Sequence, residues 1–185
     1  MIRFWIVTSG PFSGAWQVNA QIEMLFALIF VASVIYAILS DYSALRIPNV
    51  VSIVLIAAFV FYWLWGGVEA PVWYHAALAF GILVLLFVFF AIGVLGAGDV
   101  KFLGALTLWT GPHHSAFFIL TFAILGGLFA LMLVILRAVQ KPYPAIAETP
   151  VLAKFSRWAR NGICPYGIPI GVAALCTAPA IFQIR

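Results

Sequence analysis

Two side chains in this sequence have the type and setting for acid–base chemistry: Asp41 and Asp99, its only aspartates among five acidic residues. Ionisable groups beside a bilayer are costly and face a bundle interior or a watery cavity, so each acid in so apolar a chain needs an account. Glu23, Glu69 and Glu148 fall at a helix start, a turn and a basic loop, where water is at hand. Asp99 lies in GVLGAGDVKFLG, with Gly96 and Gly98 just before it. Two glycines without Cβ atoms let an extended backbone approach the carboxyl, and they break one helix before the next begins. The new helix start offers backbone N–H groups that could hold the acid or orient a water. G-x-G-D arises by chance roughly 0.013 times in a chain of this composition, and a helix-capping aspartate after a glycine turn explains it equally well. Asp41 lies in SDYSALRIPN, where a polar turn ends one helix and Pro48 starts the next. If the two carboxyls converge they cannot comfortably both ionise, so the pair holds one proton and titrates as a unit. The ionised member can take a proton from an attacking water while the protonated one polarises a peptide carbonyl, which is the chemistry of aspartic proteolysis.

The elements that must hold these acids are set by composition. The chain is 66% hydrophobic and 8% charged, with a mean hydropathy of +1.18. It cannot cover a core with polar surface, so much of its apolar surface must face lipid. A crossing helix needs about 20 apolar residues. This predicts an all-α, polytopic membrane protein with a single domain over residues 1–185 and six spans near 22–40, 50–65, 74–95, 100–111, 115–136 and 166–182. The fourth is short and runs into Pro112, which leaves a thin or partly re-entrant helix open. With six spans, Arg46, Lys101, Arg137, Lys141, Lys154, Arg157 and Arg160 share one side, against Arg3 and Arg185 on the other. The positive-inside rule then puts the basic loops in the cytoplasm and both termini outside. Trp16, Trp63, Trp65, Trp73 and Trp109 fall near the outer interface, as an aromatic belt would.

The loop 137–165 is the long polar excursion. Pro142, Pro144 and Pro150 keep its first half out of helix, whereas VLAKFSRWAR can form an amphipathic helix on an anionic inner leaflet. Basic residues this sparse suit such a lipid surface better than nucleic acid. Cys164 and Cys176 form no ligand cluster, so neither a metal nor a cofactor is expected, and the short FWIV run predicts no cleaved signal. His113 and His114 fall on the outer side, away from both aspartates, while Ser115 and Cys164 lack a base partner and read as structural.

SDYSALRIPN, GAGDVK and CPYGIPIG, in that order, resemble the three signature segments of the type IV prepilin peptidase family, and more narrowly its short tight-adherence (Flp) pilus branch. The resemblance runs from about Ile22 to Phe182. It implies an aspartic endopeptidase of the bacterial cytoplasmic (inner) membrane that clips the short basic leader of prepilins or pseudopilins at the cytoplasmic face. The catalytic aspartates of the family match Asp41 and Asp99, and its motif glycines match Gly96 and Gly98. Lys101 and Arg46 are candidates for binding substrate or tuning a carboxyl. Longer members carry a cytoplasmic segment with paired cysteine motifs and also methylate the new N-terminus. There is no room for that segment here, so the resemblance implies cleavage without methylation. The competing class is a small transporter or pilus-assembly subunit using the two aspartates as proton or ion sites. The discriminator is distance, since one water requires the carboxyls together.

Overall fold

A computed structural model describes residues 13–68, 70–141 and 152–182. Arg3, Glu69, Glu148, Arg185, the three loop prolines at 142, 144 and 150, and the side chain of Trp16 lie outside the described residues. Those residues form six helices: α1 Ser13–Ala44, α2 Asn49–Leu64, α3 Val72–Ala91, α4 Ala97–Gln140, α5 Ala153–Asn161 and α6 Gly167–Ile181. By length and composition α1, α3 and α4 can cross a membrane, while α2 and α6 are shorter apolar helices.

The inward face of α1 is a stripe of Phe30, Val34, Ala37 and Asp41, all buried and spaced three or four apart, so the acid continues the core face of its helix. Met24, Leu28 and Leu39 point outward. The helix runs on to Ala44, so Asp41 sits in its last turn. It stops at Leu45, whose φ of 55° lies in the left-handed region. Ser40 Oγ then donates to the Arg46 carbonyl at 2.8 Å, and Pro48, extended, precedes α2. A leucine in that conformation costs roughly 1–2 kcal/mol. Leu45→Gly is therefore expected to raise stability by about 1 kcal/mol, and a thermal melt in detergent reads it.

Helix α4 is two arms. As one rod of 44 residues it would extend about 66 Å. Instead Gly111, with φ 53° and ψ −168°, breaks it just before Pro112. The chain turns back there, because Cys164 touches both the cavity that holds Asp99 and the pocket that holds Leu133 and Arg137. A side chain at 111 would also collide with the ring of His75, which hydrogen-bonds the Leu108 carbonyl at 2.7 Å. The first arm, 97–110, is the short fourth segment of the sequence, and it is shielded by protein: Phe102, Leu103, Leu106 and Thr107 are buried among α2, α3 and α6.

Two sequence expectations change. Trp109 is no belt residue: it is buried, stacked on Tyr62 at 5.5 Å, and donates from Nε1 to the Leu55 carbonyl at 3.0 Å. Trp63, Trp65 and Trp73 are exposed. The amphipathic segment does form α5, but Trp158 and Ala159 lie buried against Leu133 of the second α4 arm, with Phe129 and Leu136 beside them. Its apolar face is thus covered by protein, and Arg157 and Arg160 remain exposed on the other side. Lys154 sits over the Tyr42 ring at 3.7 Å, which pins α5 beside the end of α1.

Candidate active site

Three stretches of chain converge on one cavity of about 600 Å³: the end of α1 with its turn, the turn between α3 and α4, and the segment leading into α6. Asp41 and Asp99 both line it, and their charges act on one another. Gly96, Gly98 and Arg46 line it as well. Lys101 does not. Its ammonium donates to Asn49 Oδ1 at 3.1 Å and borders a different cavity, between α2 and α3.

Asp99 is held from its own helix. It occupies the third position of α4, and its Oδ2 accepts the Gly96 N–H at 3.1 Å, satisfying an otherwise orphaned donor. Gly98 has a packing role: a Cβ there would lie 3.2 Å from the Ile47 carbonyl oxygen, so its absence seats the α1–α2 turn against the start of α4. The two acids are thereby brought to one wall by the glycine between their helices.

Asp41 is held from another helix. It is only 4% exposed, and the first amides of α6, at Gly167 and Ile168, lie beside its carboxyl. Its Oδ2 is sealed under that turn without a hydrogen-bond partner. A buried, unmatched carboxyl oxygen is costly, and such a group calls for an explanation in what the site does. Gly167 makes the arrangement possible, since a Cβ at that position would stand 2.7 Å from Asp41 Oδ2 and 2.8 Å from Ile47 Cδ1. Gly171, one turn on, gives the same clearance to Ile38, so the two glycines form a small-residue stripe on which α1 lies. The sequence reading did not find Gly167. The G-x-x-x-G spacing of Gly167 and Gly171 was the available signal.

The third wall holds Cys164 and Tyr166, whose side chains hydrogen-bond one another. Burial, with the Asp41 and Asp99 charges adding to it, pushes the Cys164 thiol up to about 11. Cys164 thus lines the cavity. Only about one thiol in a thousand ionises at pH 8 for a group of that acidity. Iodoacetamide is therefore expected to label Cys164 far more slowly than a free cysteine, with the rate still climbing tenfold per pH unit up to pH 10. Peptide mapping by mass spectrometry checks this, and labelling at an ordinary rate at pH 8 would contradict the buried environment.

Among the described residues no group of three His, Cys, Asp or Glu side chains is arranged to hold a metal ion. What the cavity offers is two mutually sensitive carboxyls, backbone donors around both, and room for a water and an extended peptide. No curated protein and no solved structure matches the chain. A sequence model of the type IV leader peptidase family does match, over residues 28–131, which takes in both aspartates, the motif glycines and the central arm of α4. The chain therefore belongs to the type IV leader peptidase family, and it is a peptidase.

Proposed function

We propose that the protein is an aspartic endopeptidase of the bacterial cytoplasmic membrane that removes the short basic leader from prepilins or pseudopilins. In this reading it is a single-domain protein of six spans with both termini outside, and it acts at the cytoplasmic face without N-methylation. The observation that carries it is that Asp41 and Asp99, from distant parts of the sequence, line one cavity. A transport role for the acids requires no such convergence, and nothing in the arrangement favours it.

The chemistry follows from one shared proton. The ionised carboxyl removes a proton from a water whose oxygen attacks the scissile carbonyl carbon, and the protonated carboxyl gives its proton to the carbonyl oxygen. The resulting gem-diol collapses when one carboxyl gives its proton to the leaving nitrogen, the C–N bond breaks, and a gem-diol hydroxyl passes its proton to the other carboxylate. Water is consumed, acid and amine are released, and the dyad ends with the one proton it began with. The Gly167 and Ile168 N–H groups stabilise charge on Asp41 through this cycle without moving, as preorganised dipoles do. The leader approaches laterally in this scheme, its apolar helix already in the bilayer, which raises its effective concentration at the cavity.

The test is cleavage of a panel of prepilin-like substrates by the purified protein in vesicles, read by mass spectrometry. One cut between the basic leader and the apolar helix is expected. Intact substrates throughout, with a folded enzyme, would overturn the reading.

A further inference from the structure

Beside the central arm of α4, on the side away from the aspartates, lies a second sizeable cavity whose occupant the peptidase chemistry does not supply. Helices α2 and α3 both pack on that arm but scarcely on each other, and between them a groove of about 510 Å³ is left open. Two contacts fix its ends. At one, Lys101 Nζ donates to Asn49 Oδ1 at 3.1 Å; at the other, His75 Nδ1 meets the Leu108 carbonyl at 2.7 Å. Lys101 and Leu108 are seven residues apart on one helix, so the groove runs about 10 Å along it. Its walls between these ends are apolar, including Ile53, Ile56, Phe80 and Leu83.

We propose that this groove binds one phospholipid with an anionic headgroup, an acyl chain lying along it and the phosphate held at the Lys101 end. Charge argues for the headgroup. Lys101 is exposed and has a single neutral partner, so two of its three N–H donors remain free. Helix α2 begins beside it behind Pro48 with no side-chain cap; the Val51 N–H is paired with the Pro48 carbonyl at 3.0 Å, which leaves the Asn49 and Val50 amides without a helical partner at the same end. No acidic residue lines the groove to compensate them. Shape argues for the chain: the groove is an apolar slot about 10 Å long, which an acyl chain extending from a phosphate at the Lys101 end would follow. Lys101 lies two residues from Asp99 on α4, so a lipid seated there braces the arm that carries one carboxyl. The site is independent of which peptide the enzyme cuts.

The test exchanges the purified protein into vesicles of equal parts phosphatidylglycerol and phosphatidylcholine and counts retained lipids by native mass spectrometry after mild extraction. Wild type is expected to keep one phosphatidylglycerol. Lys101→Gln should cut the preference for phosphatidylglycerol about tenfold, and Ala76→Trp, which fills the end of the groove beside His75 from an exposed position, should abolish retention of either lipid. Because Lys101 is exposed, its variant keeps the experiment decisive even if the tryptophan variant does not fold. Equal retention of both lipids by wild type, a phosphatidylglycerol preference unchanged in Lys101→Gln, or retention unchanged in a folded Ala76→Trp would overturn the proposal. So would a photo-crosslinker at Ile56 that captures a substrate helix instead of lipid.

Discussion

Asp41→Asn and Asp99→Asn should each lower leader cleavage in vesicles by at least about a thousandfold, and the double variant should be scarcely worse than either single one. Amide replaces carboxyl at nearly constant shape, so neither change opens a cavity or adds volume, and both proteins should still insert and melt cooperatively. In the proposed mechanism each loses one of two partners to the same water. Residues that act as a unit are grossly non-additive, because removing either member ends the reaction that needs both. The double variant thus separates a shared mechanism from two unrelated contributions. If the single losses multiply, the carboxyls serve different steps; if both single variants cleave at near-normal rates, the dyad is wrong. Mass spectrometry of the released leader over time gives all three numbers in one series.

Gly167→Ala should cost about a hundredfold in kcat with little change in KM, although it touches neither substrate nor water. The added Cβ would stand 2.7 Å from Asp41 Oδ2 and 2.9 Å from Asp41 Cβ, closer than carbon tolerates, so the acid or the first turn of α6 must move. Both the amide donors and the carboxyl they face are then out of register, and a displacement of about 1 Å is enough to lose two orders of magnitude in rate. Gly167 is a positioning residue, and the comparison that proves it is Gly171→Ala. That change, one turn along the same face, presses on the flexible Ile38 side chain instead of the acid. It should lower stability by about 1–3 kcal/mol while leaving kcat within a few-fold of wild type. Equal kinetic losses at both positions would reduce Gly167 to ordinary helix packing.

The acids and the fold were not equally legible. Asp41, Asp99 and the glycines before Asp99 stood out in the sequence because charge is so costly in an apolar chain that every acid demands a reason. The hydrophobic runs likewise marked the helices. They did not mark which way the helices face: outward residues such as Leu28 and Leu39 are as apolar as the inward Phe30 and Val34, so the period that betrays a core face in a water-soluble helix is erased by lipid. For the same reason Trp109 read as an interfacial residue and is a core one, and the apolar face of α5 read as lipid-seeking and is covered by α4.

By itself, then, the sequence determined the composition class, the two aspartates and the family-like segments around them, all of which depend on residue type and local order. Only the tertiary structure decided that the chain turns back at Gly111, that Lys101 faces away from the acids, and that the first turn of α6 closes over Asp41 through the missing Cβ of Gly167. These are contacts between segments far apart in the chain, and close approach of two helices leaves no trace in either one except the smallness of a single residue.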